Sequence, residues 1–159
     1  MAKYRVVHFI NQFFAQIGGE EKADEPFSVS EKIIGPGMAF KMSLGPDFEI
    51  VATFICGDNY FTENTEQLLP VMIEKMRELQ PDVLFAGPAF NAGRYGPNCG
   101  ALCKAAHEQL GIPAITGMYD EYPGVDLYKK EWYIVKTKNS AIGMRAAVPL
   151  MVSLARKLL

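Results

Sequence analysis

The chain has 159 residues, 49% of them hydrophobic and 21% charged, a balance that fits one globular domain over residues 1–159 burying roughly two thirds of its unfolded surface. Sixteen basic and eighteen acidic side chains leave a net charge of −2, with no basic run longer than the pair Lys129 and Lys130, which excludes the electrostatic footprint of a nucleic-acid binder. No apolar run reaches the ~20 residues of a membrane span, and the start "MAKYRVVHFINQ" lacks the form of a signal peptide, so no membrane partner is expected and the compartment expected is cytoplasmic.

The first predicted element is a buried strand over residues 4–10, YRVVHFI, rich in β-branched and aromatic side chains. Residues 11–36 mix Gly-Gly, Pro and charge without periodicity and read as a long loop, followed by a short helix over 37–44. Loops of that length are uncommon unless they have a job. EIVATFICG, residues 49–57, is the second strand. An amphipathic helix follows from Asn64, with Leu69, Met72, Ile73, Met76 and Leu79 on one face. Asn64 and Gln67 supply a capping box for it, and Pro81 lies just past its end. DVLFAGPAF, residues 82–90, is the third strand; Pro97 suits the first position of the next helix, which Gly111 closes. IPAITGM and EWYIVKT are the fourth and fifth strands. The last 21 residues carry Met144, Val148, Met151, Leu154 and Leu158 at helical spacing.

Strands alternating with helices of this length predict an α/β fold: a three-layer sandwich around a mostly parallel five-stranded sheet, flavodoxin-like or doubly wound. The last helix ends at Leu158 and Leu159 with no Gly cap or polar tail, which suggests the front part of a longer chain. In open parallel sheets ligands bind beyond the carboxyl ends of the strands, where the strand order reverses. The segments there begin with Asn11 and Gln12, then Cys56, Asp58 and Asn59, then residues 91–98, 119–121 and 136–140, and they hold nearly every uncommitted polar residue. The loops at the other end, such as "LQPD" and "LGIP", are short and plain.

The stretch GPAFNAGRYGPNCG, residues 87–100, is the most distinctive. Its glycine spacing fails both the nucleotide P-loop and the dinucleotide fingerprint. What remains is a glycine-rich turn into a helix N-terminus, where free N–H groups favour an anion and Arg94 can hold a carboxylate or phosphate; Arg94 can equally pair with a surface acid. With Gly96 as N-cap, Cys99 falls in the first turn, where a thiolate is favoured, although a packed core cysteine fits as well. Cys99, Cys103 and His107 at four-residue steps lack a fourth ligand, so no metal is expected. Cys56 opens the turn CGDNYF, in which Asp58 and Asn59 can orient a substrate amine or simply form an Asx turn. The acidic run DEYPGVD, residues 120–126, suits a cationic ligand or plain solvent. His8, in mid-strand, reads as a core histidine.

Taken in order, INQFFAQIGGEEKAD, GPGMAF, ICGDNYFTEN, AGPAFNAGRYGPNCGALCKA, GIPAITGMYDEYPGVDLYKKEWYIVKT and NSAIGMRAAVPLM resemble the N-terminal part of the selenoprotein B family of glycine, sarcosine and betaine reductases, over essentially the whole chain. The resemblance implies an oxidoreductase that reductively cleaves the C–N bond of glycine or an N-methylated relative. It implies a substrate held on a pyruvoyl group of a partner subunit and a selenol nucleophile that releases the amine. The carboxymethyl product passes to a small selenoprotein carrier, thioredoxin supplies electrons, and an oligomeric assembly is expected. The family's selenocysteine belongs to a later region, so no cofactor is expected within these residues. Asn11, Gln12, Cys56, Asp58, Asn59, Asn91, Arg94 and Tyr95 become candidate walls of the substrate site, with Cys56 and Cys99 the weak catalytic candidates. The alternative is a flavodoxin-like binding module for a small carboxylate or a flavin phosphate.

Overall fold

The computed structural model describes residues 3–90, 94–119, 133–137 and 144–159. In chain order these form β1 (Tyr4–Ile10), β2 (Ser28–Ser30), α1 (Gly37–Leu44), β3 (Phe48–Ile55), α2 (Asp58–Leu79), β4 (Val83–Phe90), α3 (Tyr95–Leu110), β5 (Ala114–Tyr119), β6 (Tyr133–Thr137) and α4 (Met144–Leu158). One sheet has the order β2-β3-β1-β4-β5-β6. The five strands foreseen in the sequence are parallel to one another. A sixth, β2, lies inside the stretch read as a loop and pairs antiparallel with β3 at the sheet edge.

Alternation along each strand sends neighbouring side chains to opposite faces, and two cores result. Val7, Phe9, Phe54, Leu84 and Ala86 pack with Phe61, Met72 and Met76 of α2 and with Cys99, Leu102 and Cys103 of α3. Val6, Phe48, Val83 and Phe85 pack with Phe40 and Leu44 of α1 and with Val148, Met151, Val152 and Ala155 of α4. Arg156 of α4 donates to the carbonyls of Ser43 and Leu44 at the end of α1 and lies over the Phe48 ring, 5.1 Å from its centroid. A cation there complements the helix C-terminus.

The connections explain where a ligand edge belongs. From β1 the chain moves outward to β3 through α1 on one face. From β3 it returns past β1 to β4 through α2, then continues to β5 through α3, both on the other face. The strand order therefore reverses between β1 and β4, and the crevice beyond their carboxyl ends is the switch point.

Helix α2 departs from the sequence reading. It begins at Asp58, six residues before the expected Asn64, and Asn64 sits inside it with non-helical angles (φ −122°, ψ 20°). The kink is stabilised by Asn64 itself, whose Nδ2 donates to the Tyr60 carbonyl at 2.9 Å. Helix α3 starts at Tyr95, with Arg94 in the N-cap position, two residues ahead of Pro97.

Candidate functional site

Asn11 and Gln12 leave β1, Asp58 and Asn59 open α2 after β3, and Arg94 opens α3 after β4. The switch point brings these five together. Asn11 is 4% exposed; its Nδ2 donates to both carboxylate oxygens of Asp58, at 3.3 and 3.1 Å, and its Oδ1 accepts from the Phe14 N–H at 3.0 Å. Gln12, 3% exposed, accepts the Asp58 N–H on Oε1 at 3.0 Å and so caps α2 through a side chain remote in sequence. Arg94 donates to Asn59 Oδ1 at 3.3 Å and is ion-paired with Glu20.

Asn98 joins this group without having been singled out in the sequence. Its Nδ2 donates to the Asp58 carbonyl at 3.1 Å, and its Oδ1 accepts from the Thr62 hydroxyl at 3.3 Å. An asparagine one helical turn after a candidate anchor such as Arg94 is the only local signal, and "PNCG" alone does not set it apart from a turn residue. Burial raises the Asp58 carboxyl above its ordinary range, and the donors Asn11 and Gln12 and the nearby Arg94 oppose that rise.

The residues expected to face a ligand thus divide into two groups. Asn11 and Gln12 are buried and hold the edge together, whereas Asp58, Asn59 and Arg94 are partly exposed on it. Tyr95 does not line the edge through its side chain. The ring is fully buried against Phe9 and Phe14, and the phenol donates to the Phe9 carbonyl at 2.8 Å. Asn91 and the acidic run 120–126 lie outside the described residues.

Of the two readings open for Cys99, the structure fits the packed core cysteine. Cys99 and Cys103 are both wholly buried, and burial pushes both thiols up, Cys99 well above its usual range. Cys99 is the fifth residue of α3, past the free N–H groups of its first turn, and loss of solvation disfavours the charged form. Cys56 is buried too; desolvation, with Asp58 close by, pushes its thiol up to about 12. His107 is exposed while Cys99 and Cys103 point inward, so the three do not share a face, and among the described residues no group of three metal-ligating side chains comes together.

His8 is the histidine the sequence assigned to the core. It is buried, Nε2 lies 2.9 Å from the Gly87 carbonyl, the ring meets Phe40 edge-on at 5.0 Å, and Nδ1 has no partner. Burial lowers its pKa to about 4, so the ring is neutral at physiological pH. A surface cavity of about 450 Å³, lined by Tyr4, Phe48, Arg156 and others, opens at the amino ends of the strands, away from the switch point. It is not the site that the topology indicates. Among the described residues, no helix is long and apolar enough to cross a membrane.

Comparison with known proteins identifies the family. The profile of the family "Glycine/sarcosine/betaine reductase selenoprotein B" matches residues 3–159. The chain is 55% identical over 159 residues to a glycine reductase complex component B subunit gamma of Carboxydothermus hydrogenoformans, covering 100% of this chain and 37% of that protein. It is 51% identical over 157 residues to a sarcosine reductase complex component B subunit beta of Peptoclostridium acidaminophilum, covering 99% and 36%. Against the betaine reductase complex component B subunit beta of the same organism the identity is 35% over 155 residues, covering 98% and 35%. The chain therefore spans little more than a third of the length of these curated relatives. Among solved structures, the response regulator domain of Thermotoga maritima CheB aligns with TM-score 0.51 and 14% identity, covering 98% of this chain and 96% of that one. At that identity the likeness concerns the fold alone, and it agrees with the strand order.

Proposed function

The chain belongs to the glycine/sarcosine/betaine reductase selenoprotein B family, and from that premise we propose that it works as one part of a reductase assembly. The reaction we assign to the assembly is the reductive cleavage of the C–N bond of glycine or an N-methylated glycine: two electrons enter, the amine leaves, and the carboxymethyl carbon is reduced. The observation that carries this reading is the convergence of Asn11, Gln12, Asp58, Asn59 and Arg94 at the switch point, where an α/β sheet takes its ligands. In our reading Arg94 holds the substrate carboxylate, since a guanidinium fork matches two carboxylate oxygens. Asn59 orients Arg94. Asn11, Gln12 and Asn98 fix Asp58, whose partly buried carboxylate faces the amine end.

The nucleophile is not one of this chain's thiols. Cys56, Cys99 and Cys103 are all buried, with thiols held protonated, and a selenol or thiolate nucleophile needs the opposite environment. We therefore assign the selenocysteine to a region outside these residues and the pyruvoyl group to a partner subunit, with a small selenoprotein carrier and a thioredoxin system as further partners. The relatives are named as components of complexes, which supports an assembly of several chains. The alternative reading, a flavin-phosphate module at the turn into α3, has less support, because the relatives are named as reductase components.

The test is an Arg94→Gln variant assayed in the complete assembly. Loss of one charge-assisted carboxylate contact should raise KM for glycine roughly 10- to 100-fold. An unchanged KM would remove Arg94 from the substrate site.

A further inference from the structure

The donors that make the carboxyl edge attractive to a carboxylate are occupied by oxygens of one segment of the same chain. Glu20 is ion-paired with Arg94. The Ala23 carbonyl accepts from the N–H groups of Asn59 and Tyr60, at 2.8 and 3.0 Å. Asp24 accepts from Asn59 Nδ2. A helix start normally leaves such N–H groups to water, a cap or a ligand; here a distant loop takes them.

Gly57 is the seat for this segment. A Cβ at Gly57 would lie 2.3 Å from the Ala23 oxygen and 2.7 Å from the Glu25 nitrogen, so only glycine lets the loop backbone lie flat against the start of α2. Buried Ala23, 3% exposed, and backbone bonds from Gly57, Asn59 and Tyr60 hold the middle of the segment, whereas Glu20 and Asp24 fasten it by polar contacts at the surface. The Glu20 side chain is 77% exposed and that of Arg94 34%. An exposed pair of this kind is individually weak, so the Glu20 contact is released at low cost.

We propose that residues 20–25 form a latch in which the Glu20 carboxylate occupies Arg94 in place of the substrate carboxylate, and that substrate binding displaces it. The inference rests on the reading of Arg94 as the carboxylate-binding residue. Exchange of one carboxylate for another on the same guanidinium needs no new charge at the site, and it couples occupancy to the position of the loop.

The test titrates the complete assembly with glycine and follows amide hydrogen exchange at Asn59 and Tyr60 of this chain. Glu20→Gln should bind glycine more tightly, by up to about fivefold, while Glu21→Gln, with the same change of charge one residue away, should not. Saturating glycine should speed exchange at the Asn59 and Tyr60 amides of the wild-type chain. Arg94→Gln should weaken binding roughly 10- to 100-fold. Equal tightening by Glu20→Gln and Glu21→Gln would overturn the latch, since charge alone would explain it. Binding with no change in amide exchange would also overturn it and leave Arg94's assignment standing. Absence of glycine binding by wild type and Glu20→Gln alike, or full binding by Arg94→Gln, would overturn the assignment of Arg94 and the latch with it.

Discussion

His8 is a base held neutral by the protein around it. Its pKa falls from 6.5 in the unfolded chain to about 4 in the fold, so between those values the unfolded state binds more protons and stability rises with pH. Acidification from pH 6.5 to 4 should therefore cost roughly 3 kcal/mol from this residue. Asp58, raised in the fold, contributes in the opposite sense above pH 3.8. Urea denaturation at a series of pH values should show the rise, and His8→Phe, which keeps an aromatic ring beside Phe40, should flatten it; an unaltered slope would exclude His8 as its origin. The thiols make a second prediction at this scale. None of Cys56, Cys99 and Cys103 should react with a thiol reagent within minutes at pH 7 in the native protein, and all three should react in denaturant. Tyr95→Phe should cost about 1 to 2 kcal/mol of stability through the lost bond to the Phe9 carbonyl, yet leave ligand affinity unchanged, because the phenol points into the core.

At the scale of elements, the start of α2 shows most clearly what the sequence conceals. CGDNYF looks like a turn, and Asn64 with Gln67 looks like a helix start. The helix begins at Asp58 because Gln12 and Ala23, far away in the chain, accept its first N–H groups. No local pattern records a cap of that kind. Strand β2 escaped for the same reason: three residues, Ser28–Ser30, become a strand only by pairing with β3. By contrast β1, α1 and the apolar face of α2 were legible, since burial writes itself into periodicity along each element. Gly57→Ala tests the seat directly. The backbone there (φ −63°, ψ 142°) suits alanine, so any cost comes from the collision with Ala23 and Glu25. We expect a loss of about 1 to 3 kcal/mol together with faster proteolysis within residues 20–25. A neutral substitution would mean that the loop does not rest on Gly57.

For the whole molecule, the alternation of strands and helices was enough to give the α/β class, and the carboxyl-end rule was enough to name most of the edge. The sequence could not tell which of those residues face outward. Asn11, Gln12 and Tyr95 are the same residue types whether they hold a ligand or hold the fold, and only burial separates them from Arg94 and Asn59. The chain belongs to the glycine/sarcosine/betaine reductase selenoprotein B family, and the relatives it matches, nearly three times its length, are named as components of reductase complexes. Our reading assigns to these residues a substrate-binding edge and partner contacts but no nucleophile. The most direct test is an assay of amine release from glycine, sarcosine and betaine by the purified 159-residue chain with a dithiol reductant, alongside the complete assembly. We expect no amine from the chain alone and turnover from the assembly. Sustained amine release by the chain on its own would contradict the assignment of the nucleophile elsewhere.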